Sequence, residues 1–207
     1  MKNPSSFIKI GPYTTSQREL KDLTKSWAAI SLAFAILLSN FNLFSGTLEV
    51  INLIISFFVA ALTVGIGFII HELSHKIVAQ KYGCKAEFRA FDNFLIISIF
   101  LALFLKLLIA APGAVMISGP VGKRRNGKIS AAGPASNLLV ALGFLIIALV
   151  FGSNIITYYG IFINSILAAF NLIPIAMFDG KKIFNWNKAV WSIMAILSAG
   201  LIFISNL

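Results

Sequence analysis

Residues 53–70 read "LIISFFVAALTVGIGFII", with no charged side chain. A run of this length is near the ~20 residues a helix needs to cross a bilayer. Further apolar runs cover residues 27–44, 94–111, 131–151, 158–178 and 189–205. The chain of 207 residues is 58% hydrophobic and 12% charged, and its mean hydropathy is +0.91. A soluble fold cannot bury that much apolar surface, so the sequence specifies an all-α polytopic membrane protein with about five transmembrane helices. The first run follows a polar stretch, carries Trp27 at its start and has no small-residue cleavage site. It therefore reads as a retained helix, not a signal peptide. Residues 1–26 are expected to form a cytoplasmic N-terminal segment and residues 27–207 a single membrane-embedded domain.

The net charge of +10 reports topology. Basic residues gather before the first run (Lys2, Lys9, Arg18, Lys21, Lys25), after the second (Lys76, Lys81, Lys85, Arg89), at 123–128 (Lys123, Arg124, Arg125, Lys128) and at 181–188 (Lys181, Lys182, Lys188). The segments 45–49 and 152–158 have none. This alternation is the positive-inside pattern, which places the four clusters in the cytoplasm beside anionic headgroups. No basic and aromatic platform accompanies the charge, so nucleic acid is not an expected partner. Cys84 is the single cysteine, which excludes an internal disulfide. The tryptophans Trp27, Trp186 and Trp191 are expected to contact lipid or anchor the interface.

The long run ends in "HELSH", residues 71–75, which holds the only two histidines of the chain. Four residues on a helix bring His71 and His75 to one face, one turn apart, where two imidazoles can bind one tetrahedral Zn²⁺. Glu72 is turned about 100° from His71, beside such a metal, where it can accept a proton from an attacking water. Without a metal, three ionisable groups in an apolar run would carry a large unpaired cost.

A hydrolytic zinc site uses three protein ligands and one open position. With no third histidine, a carboxylate is required. Asp179 ends a predicted span among breakers, in "NLIPIAMFDGKK" (171–182). Pro174 removes a backbone hydrogen bond and Gly180 relieves crowding beside the carboxylate. Irregular backbone at membrane depth is tolerated where it lines a cavity or is buried in protein. Glu87 and Asp92 are next in line as ligands.

These motifs resemble the site-2 protease family of intramembrane zinc metalloproteases. The resemblance rests on HExxH at His71-Glu72-Leu73-Ser74-His75, and on NxxPxxxxDG at Asn171, Pro174, Asp179 and Gly180. A third motif, GPxxN, is matched at Gly133, Pro134 and Asn137. They occur in the family's order and imply a site-2 protease-like catalytic core over about residues 50–182. The resemblance implies one Zn²⁺ per chain on His71, His75 and Asp179, Glu72 as general base, and cleavage within or beside a substrate's transmembrane helix. Many members carry a second glycine after the DG pair, where this chain has Lys181, and no PDZ-like insertion is expected. Asn137 and Asn171 each offer an amide N–H to an oxyanion or to substrate backbone, or else bond a neighbouring helix.

The alternatives are a zinc-binding but non-hydrolytic membrane protein, as pseudo-enzyme or metal carrier, and a structural adaptor. A carrier would be expected to offer a second ligand cluster, a pseudo-enzyme to lack Glu72, and an adaptor leaves the buried polar groups unexplained. Parity adds one expectation. If residues 94–111 crossed the membrane, Asp179 would lie a bilayer thickness (~30 Å) from the histidines. They are therefore expected to re-enter or lie at the interface, returning through a strand at "APGAVMI" (111–117).

Overall fold

The computed structural model describes residues 7–41, 47–107, 112–175 and 178–206. The described residues are mostly helical and group into two compact units, Met1–Ala61 with Ala79–Gly119, and Leu62–Val78 with Pro120–Leu207.

In the first unit, β1 (Phe7–Ile10) and β2 (Tyr13–Ser16) pair antiparallel, Phe7 opposite Ser16 and Ile10 opposite Tyr13. Helix α1 (Gln17–Leu38) starts ten residues before the predicted span, because Ser16 caps it by accepting the Glu19 amide. The Glu19 carboxylate is fully buried and accepts from the Thr15 hydroxyl at 2.7 Å and the Phe88 amide at 2.9 Å. A buried carboxylate is tolerated only with such partners. Helix α2 (Thr47–Ala60) and helix α4 (Asp92–Leu105) pack on α1 through Ala33, Ile36 and Ala102. Strand β3 (Lys85–Ala90) pairs antiparallel with β4 (Gly113–Ser118), which is the strand expected in "APGAVMI". Part of that stretch, residue 111, lies outside the described residues, as does the end of the predicted first span at 42–44. Trp27 Nε1 donates to the Ala61 carbonyl at 3.3 Å, so this indole is spent on protein backbone.

The histidine-bearing helix α3 (Ile66–Lys81) continues α2 through a π-helical turn, Ala61–Gly65, making one apolar helix Glu49–Lys81 of 33 residues. It stops where expected, with Gly83 at φ +78° as the left-handed residue after the last turn.

The second unit holds residues 62–78 of that helix with α5 (Lys123–Phe151), α6 (Ile155–Asn171), α7 (Asp179–Trp186) and α8 (Lys188–Ser205). Its core is Leu138, Ala141, Ala168, Leu172, Ile183, Met194 and Leu201. Helix α5 begins eight residues before the predicted 131–151 span, and α6 covers 155–171 where 158–178 was expected. Asn154 caps α6 in a full capping box with Thr157. Polarity is distributed as in a bilayer protein. Asn137, Asn164 and Ser165 are fully buried, whereas Leu139, Leu149, Val150 and Phe151 face outward. Among the described residues, Glu49–Lys81, Lys123–Phe151 and Lys188–Ser205 are long and apolar enough to cross a membrane, and α4 and α6 are shorter apolar helices.

Candidate metal centre

All three predicted ligands meet within the second unit. His71 and His75 are buried on successive turns of α3, and their Nε2 atoms lie 3.0 Å apart. Asp179 Oδ2 stands 3.0 Å from His75 Nε2 and 3.8 Å from His71 Nε2. A tetrahedron with zinc bonds of about 2.0–2.1 Å has edges of ~3.3 Å, so the three atoms form one face of such a site. Burial by itself would push the Asp179 carboxyl up, but the adjacent imidazoles outweigh it and hold the group well below the usual carboxylate range.

Both rings are oriented for ligation through Nε2. His75 Nδ1 donates to the Ile129 carbonyl at 2.8 Å, and His71 Nδ1 donates to Asn137 Oδ1. A ring whose Nδ1 carries the proton presents its Nε2 lone pair to a metal. Pro134 lies inside α5, where its missing N–H and its ring disturb the turn that contains Ile129 and Ser130.

Gly133 leaves room for the ion itself. A Cβ there would lie 2.4 Å from His75 Nε2 and 2.6 Å from His71 Nε2, within the volume that a bound metal needs. The donor set and this gap both fit Zn²⁺.

Asp179 reaches the site because α7 is docked through glycines. A Cβ on Gly180 would lie 2.1 Å from the Leu172 carbonyl oxygen, and one on Gly127 would lie 2.2 Å from Trp186 Cβ. Trp191 Nε1 donates to the same Leu172 carbonyl at 2.6 Å. Trp186 and Trp191 thus brace the break after α6. Lys182 Nζ lies 3.6 Å from the other Asp179 oxygen.

Glu72 is half-buried, next to His71 on α3. Asn137 is fully buried, and its amide nitrogen donates to the Gly67 carbonyl at 3.3 Å and Asn164 Oδ1 at 3.1 Å. Asn171 donates to the Leu167 carbonyl of its own helix at 2.9 Å. The reserve ligands are engaged elsewhere, Glu87 with Ser16 and Arg89, Asp92 with Lys25. Sequence reasoning passed over Asn164, although a carboxamide in the middle of the apolar run 158–178 was a visible signal.

The chain is 40% identical over 186 residues to the protein named "Putative zinc metalloprotease MJ0611" of Methanocaldococcus jannaschii, covering 87% of this chain and 91% of that one. It is 29% identical over 140 residues to "Zinc metalloprotease MJ0392" of the same organism, covering 66% of this chain and 36% of that protein. No family model and no solved structure matches the chain.

Proposed function

Because the chain belongs to the zinc metalloprotease family, we propose that it is an intramembrane endopeptidase of the site-2 protease type. It hydrolyses peptide bonds within or beside the transmembrane helices of membrane-protein substrates. The observation that carries this reading is the set of buried His71 and His75 with half-buried Asp179, two of whose members lie on a 33-residue apolar helix.

His71, His75 and Asp179 would hold one Zn²⁺, which when bound lowers the pKa of water and polarises a carbonyl. Glu72 accepts the proton of the attacking water and returns it to the leaving amine. Asn137 holds His71 in the ligating orientation. Asn171 is the remaining candidate for contact with substrate backbone, and would have to exchange its bond to Leu167 for that. A helical substrate must unwind locally to reach the site.

The proposed topology keeps the N-terminus and the active-site end cytoplasmic, with five spans and residues 94–111 re-entrant or interfacial. Helix α4 has 14 residues, about 21 Å, short of a ~30 Å hydrocarbon core. That length supports re-entry.

The test is cleavage of generic single-span substrates in liposomes, with zinc analysis of the same preparation. Wild type should bind about one zinc per chain and cleave. Glu72→Gln should keep zinc and lose at least ~100-fold in rate. Zinc binding with no cleavage of any membrane substrate would favour the non-hydrolytic alternative.

A further inference from the structure

Asn164 lies on α6, about two helical turns before its end at Asn171, and is fully buried. Its side chain is satisfied in one direction only. Nδ2 donates to the Gly160 carbonyl at 2.9 Å, with the Thr63 carbonyl of the π turn at 3.5 Å. Oδ1 accepts from Asn137 Nδ2 at 3.1 Å. The Asn137 nitrogen also meets the Gly67 carbonyl, and its oxygen receives His71 Nδ1.

Resting on the zinc site proposed above, we infer that Asn164 is a positioning residue. It fixes the direction of the Asn137 amide and through it selects the metal-binding tautomer of His71. A flip of the Asn137 amide would set its oxygen against two acceptors, Gly67 O and Asn164 Oδ1, and its N–H against His71 Nδ1. His71 would then carry its proton on Nε2 and could not ligate. The Gly160 carbonyl, committed within a helix backbone, anchors the polarity of the whole chain. Gly67 admits the contact, because a Cβ there would lie 1.9 Å from Asn164 Oδ1.

The two histidines make the tautomer directly observable. Histidine-¹⁵N-labelled, metal-free protein, at a pH where both rings are neutral, should show His71 protonated on Nδ1 in wild type. A His75→Gln variant assigns the signals. In Asn164→Leu a substantial Nε2-protonated population should appear, and zinc affinity by chelator competition should fall on the order of 10-fold. Asn137→Leu should lose affinity as well, and the double variant should lose no more than Asn137→Leu alone, because Asn164 acts only through Asn137. Asn164→Asp retains an acceptor for Asn137 and should keep the wild-type tautomer, which carries the test if the leucine variant fails to fold. An unchanged tautomer in Asn164→Leu, a changed one in Asn164→Asp, or full additivity in the double variant overturns the inference. Failure of wild type to bind zinc would instead overturn the metalloprotease reading, and the tautomer measurement stands without metal.

Discussion

Replacing Gly133 by alanine adds one methyl group at the centre of the site. That carbon would lie 2.4 Å from His75 Nε2, 2.6 Å from His71 Nε2 and 2.6 Å from His75 Cε1. Ordinary heavy-atom contact is about 3.5 Å, so three atoms must each retreat by ~1 Å. In metal-free protein the imidazoles can turn aside at the expense of their Nδ1 hydrogen bonds, and alanine gains up to about 1 kcal/mol of helix propensity over glycine. With zinc bound they are held by their bonds, and the overpacking cost of about 1–3 kcal/mol falls on the metal complex. The expected loss of zinc affinity is roughly 5- to 140-fold, at 1.4 kcal/mol per tenfold. Competition against a graded series of chelators measures it, with thermal unfolding of the metal-free protein alongside. Gly143→Ala, on the same helix, is the control, since its Cβ would meet nothing within 4 Å. Wild-type zinc affinity in Gly133→Ala would refute the placement of the ion between α3 and α5.

Asp179→Ala should leave two imidazoles and release zinc during dialysis against a mild chelator; retention would require another third ligand. With Cys84 replaced by Ser, a cysteine at Asn126 should react with an impermeant thiol reagent only from the cytoplasmic side. One at Ser153 should react only from the outer side, and labelling of Asn126 from outside would remove the re-entrant reading of 94–111.

The pairing of His71 with His75 was legible because an i, i+4 relation is local and any helix enforces it. Asp179 was legible through Pro174 and Gly180, which mark a break that a span does not otherwise tolerate. Asn137 was visible as a residue, but its direction was not, since that depends on Asn164 arriving from α6. Gly67, Gly127 and Gly133 were equally hidden as contacts. A glycine in sequence does not state which backbone or ring will approach it. The early start of α1 was readable in "SQRE", a capping signature, whereas the burial of Glu19 was not. Its partners, the Thr15 hydroxyl and the Phe88 amide, include one supplied 69 residues away. The span boundaries shifted for a similar reason, because α5 continues past the apolar limit into its basic end and α6 stops before the proline.

Asp179 follows His75 by 104 positions (179 less 75), and it sits on a helix of only 8 residues after a break. An ion shared by these residues would close a long loop, as a covalent staple does. Such a closure removes more freedom from the unfolded chain the longer the loop it spans. A metal held there would therefore also tether α7, and a cell short of zinc would hold this protein with α7 less securely fastened. Limited proteolysis after chelation should open first near residues 172–187.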